Sequence, residues 1–86
     1  KNIEGRTFTE LPFIVEKDGK IYEGFIDRII LQDGCPYIYD YKTETSEVSR
    51  YKQQMDIYAE ATRQIFKTDR VKRFIVFLSE ASICEI

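Results

Sequence analysis

Between Thr7 and Lys42 apolar and polar residues alternate in runs that two Asp-Gly pairs, Asp18-Gly19 and Asp33-Gly34, cut into three. Asp-Gly accepts the positive φ angles of a two-residue hairpin turn, so the spacing predicts three antiparallel strands near residues 7–17, 20–32 and 36–43. After Thr43 the period changes. Val48, Tyr51, Met55, Tyr58, Thr62 and Ile65 recur every three or four residues, the stripe of a helix. Ser46 is placed to cap its start, with Glu47 in a first turn where the helix dipole favours an acid, and the helix is expected to end near Phe66 or Lys67. The run VKRFIVFLS is apolar over the length of a strand, which predicts a strand covered on both sides. The order is then β-β-β-α-β, an α+β, sandwich-like fold with a three-strand antiparallel meander. There is no internal repeat, linker or low-complexity stretch.

The 86 residues suffice for one core, so residues 1–86 are read as a single domain or part of one. With 13 Lys and Arg against 15 Asp and Glu, a formal charge of -2, the chain is not a module that grips nucleic acid by charge alone. It contains no histidine, which removes Ser-His and Cys-His catalysis and the commonest zinc ligand. Cys35 and Cys84 are too few for a disulfide framework and too far apart for a zinc knuckle. No apolar run reaches transmembrane length, and the expectation is a cytoplasmic protein without membrane contact. Any chemistry has to run on carboxylates, lysine, tyrosine or a hard metal ion.

Turn arithmetic then brings acids together. Around a two-residue Asp33-Gly34 turn, positions summing to 67 lie opposite one another, which sets Asp27 against Asp40, Phe25 against Lys42, and Pro36 against Leu31, where a missing N–H is tolerated. The facing acids would have Cβ atoms roughly 4.5 to 5.5 Å apart, a spacing at which like charges destabilise a sheet. Around Asp18-Gly19 the sum is 37, and Glu10 falls beside Asp27. Both registers cannot hold with unbroken ladders, because the backbone groups of Asp27 point to one neighbour only, so a longer turn or a bulge is required that would displace Glu10.

Two readings of this acid row stay open: an exposed face carrying an Asp-Lys pair worth under about 1 kcal/mol, or a divalent-cation site of oxygen ligands with Lys42 at its edge to orient a water or take its proton. On the predicted helix Tyr51, Gln54 and Tyr58 share a flank, where the Gln54 amide has to find a partner. The basic residues Arg63, Lys67, Arg70, Lys72 and Arg73 are read as a solvated helix end rather than as a phosphate site.

In chain order GFIDRI (Gly24 to Ile29), YDYKT (Tyr39 to Thr43) and YKQQMDIYAEA (Tyr51 to Ala61), preceded by ELPF (Glu10 to Phe13), resemble the motifs of the RecB/AddA-type nuclease domain of the PD-(D/E)XK superfamily. The resemblance runs from about Glu10 to Leu78. It implies a restriction-endonuclease-like core, here lacking its first helix, and a Mg²⁺- or Mn²⁺-dependent deoxyribonuclease, with an exonuclease favoured. Asp27, Asp40 and the Tyr41 carbonyl are its implied metal ligands, Lys42 its catalytic lysine, and Gln54, Tyr58, Tyr51 and Glu10 its supporting or DNA-contacting residues. The implied setting is the C-terminal part of a UvrD/Rep-like helicase-nuclease acting in double-strand-break repair and recombination. DNA, the rest of the helicase chain and a second subunit would be its partners, with ATP used in the helicase portion alone. Two cysteines cannot supply the four ligands of the iron-sulfur cluster that related enzymes carry. The alternatives are a catalytically silent module with a structural or DNA-guiding role, and a stand-alone phage-type or CRISPR-associated exonuclease.

Overall fold

Both Asp-Gly pairs form the two-residue turns that the sequence predicts, each with two residues at positive φ: 54° and 79° at Asp18-Gly19, 53° and 75° at Asp33-Gly34. The protein is described from a computed structural model covering residues 6–86. The turns join β1 (Thr7–Lys17), β2 (Lys20–Gln32) and β3 (Cys35–Lys42). A 3₁₀ turn (Val48–Tyr51) leads into α1 (Lys52–Phe66), followed by β4 (Lys72–Phe77) and β5 (Ser82–Glu85). The five strands form one sheet in chain order, with β3 and β4 parallel and every other pair antiparallel.

Gly34 holds φ +75° with open space where a Cβ would stand, so Gly34→Ala costs backbone strain alone. The expected loss is about 1 kcal/mol, read as a lower urea midpoint with unchanged slope.

The meander carries one irregularity, and it lies where the site is. In β1 the side chains turned toward the core are Leu11, Phe13 and Val15, then Phe8; in β2 they are Tyr22, Gly24 and Ile26, then Ile29 and Leu31. Both strands slip phase at the same rung. Glu10 takes φ +49° and drops out of the ladder between Thr9↔Arg28 and Leu11↔Ile26. Beyond this rung Leu31 donates its N–H to the Arg6 carbonyl at 2.9 Å. The incompatibility of two ideal hairpins is therefore met by a paired bulge inside the strands, with both turns short and both register sums kept. Its consequence is that Asp27 joins Ile26 on the helix-facing side.

Several expectations are corrected. The α-helix begins at Lys52, six residues after Ser46, because a 3₁₀ turn intervenes; Glu47 precedes that turn without a side-chain cap. Ile65 is 44 % exposed, whereas Ala59 and Ala61 are buried beside Met55, Tyr58 and Thr62, so the packed stripe uses small residues that a search for large apolar ones passes over. A fifth strand, β5, follows β4, giving β-β-β-α-β-β. One face of β4 is buried under α1 through Ile75 and Phe77. The other is half-covered, with Phe74 stacked on Tyr37 and Tyr39 at 5.8 and 5.1 Å. Phe25 is 62 % exposed on that outer face and does not oppose Lys42.

The helix ends as expected: Lys67 adopts the left-handed conformation after Phe66 and donates its N–H to the Arg63 carbonyl. The core between sheet and helix is made by Ile26, Ile29, Ile38, Met55 and Ile75, all fully buried. An ion pair from Asp56 on α1 to Arg73 on β4 fastens the helix across the sheet. Of the basic cluster, Arg63 meets Glu60, Lys72 meets Glu85 and Arg70 reaches the Asp33 carbonyl. These partners account for the cluster locally.

Candidate active site

The β2–β3 ladder runs from Gln32↔Cys35 to Arg28↔Tyr39 and stops one rung before Asp27 and Asp40. At that point a side chain replaces a backbone partner: the Tyr41 N–H donates to Asp27 Oδ2 at 2.9 Å. This bond fixes the Asp27 carboxylate at the fork where the two strands part. Asp40, one rung on, is held on its other side by the parallel pairing of β3 with β4, Asp40↔Ile75, and is 3 % exposed.

Asp40 and Lys42 share the helix-facing side of β3, and Lys42 Nζ lies 2.9 Å from Asp40 Oδ2. The approach is off the direction of a hydrogen bond, so this buried oxygen keeps an unsatisfied lone pair. Burial pushes the Asp40 carboxyl above the usual aspartate range; the Lys42 ammonium opposes that rise and the neighbouring Asp27 carboxylate adds to it.

Lys42 is fixed from three directions. Its ammonium contacts Asp40, donates to Gln54 Oε1 at 2.9 Å and stands 4.5 Å above the centre of the Tyr51 ring. Gln54 then uses its amide nitrogen to donate to Tyr58 OH at 3.0 Å. That bond orients the amide so that its oxygen faces the lysine. Tyr58 packs edge-on against Phe13 at 5.7 Å, and its hydroxyl is pushed up to about 12 by burial and by the nearby carboxylates of Asp40 and Asp27. The phenol is thus a neutral group at physiological pH.

The structure brings together Asp27, Asp40, Tyr41, Lys42, Tyr51, Gln54 and Tyr58. It does not bring Glu10 to them: this residue is exposed at the bulge, and among the described residues no three His, Cys, Asp or Glu side chains gather to hold a metal. Two groups escaped the sequence reading. Arg28 places its guanidinium 5.9 Å from the Tyr41 ring on the other side of the sheet, with a buried Nε that has no partner. Arg50 stands at the rim beside Gln53 and Gln54. Only the adjacency of Arg28 to Asp27 hinted at the first, and the second lies in the unforeseen 3₁₀ turn.

The donor set suits a hard divalent ion in kind. Two carboxylates converge, one anchored by a backbone N–H and the other holding a buried oxygen with spare accepting capacity, and a cation would relieve the repulsion between them. A sequence profile of the PD-(D/E)XK nuclease superfamily matches residues 4–84. The chain belongs to the PD-(D/E)XK nuclease superfamily. Its relatives include proteins named as subunits of an ATP-dependent helicase/nuclease. The one from Streptococcus equi subsp. zooepidemicus (strain MGCS10565) is 35% identical over 89 residues, covering 91% of this chain and 7% of the relative. That of Staphylococcus saprophyticus is 35% identical over 95 residues, covering 81% and 8%. That of Streptococcus suis (strain 98HAH33) is 33% identical over 69 residues, covering 74% and 6%. The chain thus spans less than a tenth of the length of each. The α+β architecture is that of a restriction-endonuclease-like nuclease fold. No helix among the described residues is long and apolar enough to cross a membrane.

Proposed function

We propose that this PD-(D/E)XK domain hydrolyses DNA phosphodiesters with a divalent cation, Mg²⁺ or Mn²⁺, as the nuclease part of an ATP-dependent helicase-nuclease. The observation that supports this most is the three-way fixing of Lys42 by Asp40, Gln54 and Tyr51. A lysine kept for solubility would be left mobile at the surface. Asp27, Asp40 and the Tyr41 carbonyl would hold the ion. When bound, the ion would acidify water and neutralise charge developing on the phosphoryl oxygens.

The chain's own residues supply position and proton control. Gln54 fixes the direction of the Lys42 ammonium, and Tyr51 limits its swing. Lys42 orients the attacking water and exchanges its proton, while the neutral Tyr58 phenol holds Gln54 without adding negative charge. In-line attack of water at phosphorus leaves 5′-phosphate and 3′-hydroxyl ends. The names of the relatives support a cytoplasmic role beside a helicase motor and a second subunit in break repair, with ATP consumed in the motor.

The test is titration of the full-length protein with Mg²⁺ or Mn²⁺ on linear DNA, wild type beside Asp27→Asn. Fragments with 5′-phosphates are expected from wild type only with the cation, and the variant is expected to lose at least about 10²-fold in rate. DNA binding with no cation-dependent product would overturn the reading in favour of a silent DNA-guiding module.

A further inference from the structure

Beside the Lys42 chain a groove of about 400 Å³ runs between the β1–β2 hairpin and the start of α1. Its walls are Phe13, Tyr22 and Ile57, its floor is Gly24, and Arg50 and Gln53 stand at its rim. Its inner end is formed by Gln54 and Tyr58, the two groups through which Lys42 is oriented. The volume falls in the range of small-molecule sites, about 300 to 1,000 Å³. Apolar and aromatic walls, a guanidinium at the mouth and direct continuity with the reacting centre are the features that accept a base, its sugar and a phosphate.

We propose that this groove is a nucleotide subsite, taking one unpaired nucleotide next to the scissile phosphate, with its base against Tyr22 and Phe13 and its phosphate at Arg50. The substrate class rests on the nuclease reading above. A base inside a duplex is stacked on both faces and cannot enter a side groove, so the occupant belongs to a single strand or a frayed end. Gly24 keeps the floor open. A Cβ there would sit 3.5 Å from the Phe13 ring, ordinary contact, so alanine fits whereas a longer side chain fills the groove.

The experiment uses the full-length protein in EDTA, where hydrolysis does not run, with oligothymidylates carrying one 5-iododeoxyuridine at successive positions. After long-wavelength irradiation, cross-linked peptides are mapped by mass spectrometry. One position is expected to label Tyr22 or Phe13, with the yield retained in Gly24→Ala. In Gly24→Leu it should fall by at least about fivefold, the change that losing a base–aromatic stack entails. Should Gly24→Leu fail to fold, Tyr22→Leu, which preserves apolar volume, is expected to lose the Phe13 label and to weaken capture similarly. Cross-links confined to other residues, or a yield unchanged in the folded variant, would overturn the subsite. The two readings separate cleanly. Mg²⁺-dependent cleavage without groove labelling removes the subsite alone, and groove labelling by a wild type that cleaves nothing removes the nuclease reading alone.

Discussion

Replacing Lys42 by alanine is expected to abolish DNA cleavage, lowering the single-turnover rate by at least about 10³-fold, within the range that positioned acid–base and electrostatic groups supply. Lys42→Arg is not expected to rescue it, since a planar guanidinium cannot replace a compact ammonium seated between a carboxylate, an amide oxygen and a ring face. The same substitution has a stability signature. Asp40 is 3 % exposed, and without its ammonium neighbour its charge is buried uncompensated. A loss approaching about 3 kcal/mol follows at neutral pH, the low end for a broken buried pair, because the lysine retains some solvent. This deficit shrinks as the pH falls through the raised titration of Asp40, where the carboxyl becomes neutral. Thermal melting at pH 5 and pH 8 checks the sign. Cleavage by Lys42→Ala at a rate close to wild type would remove the lysine from the chemistry.

Much of the site was legible because hairpin arithmetic is local. Two Asp-Gly turns fix two register sums, and both hold from the turn outward. The pairing of Pro36 with Leu31 follows from the same count. What the arithmetic could not reach is how the strands settle the conflict between those sums. It pointed to a lengthened turn or a bulge, whereas the answer is a matched slip at Glu10 and Asp27, chosen by side chains that must reach the core on both sides of the break. Residues counted across that slip were misplaced: Phe25 went to the outer face, and the Asp27–Asp40 rung became a side-chain contact with the Tyr41 backbone. The helix period was readable and its beginning was not. A capping serine and an acid suit a helix start anywhere nearby, and packing of Tyr51 on Phe77 at 6.4 Å, with Lys42 over the Tyr51 ring, goes with a 3₁₀ turn before Lys52. The Lys42–Gln54–Tyr58 chain was foreshadowed only as a shared helix flank, since the bond that ties it to the sheet joins residues 12 positions apart.

Asp40→Asn is expected to stop cleavage while raising stability at neutral pH, a combination that separates a residue kept for chemistry from one kept for the fold. Burial holds the Asp40 carboxyl above the usual range in spite of Lys42. A group whose titration is raised by folding stabilises the native state fully below its unfolded value, and that contribution is lost as the pH rises through the folded value. Asparagine stays neutral throughout and loses nothing over that interval. The variant is therefore expected to melt a few degrees above wild type near pH 7, the difference closing toward pH 4. Gln54 Oε1 remains to accept from the Lys42 ammonium, which limits the harm to its partner. Divalent cation should reverse the order. An ion that binds only the native state raises the melting temperature according to its concentration over its dissociation constant, so wild type should gain with Mg²⁺ and Asp40→Asn should not. A variant less stable than wild type at every pH would mean that the attraction of Lys42 outweighs burial, leaving Asp40 a structural partner of the lysine and not an acid held ready for an ion.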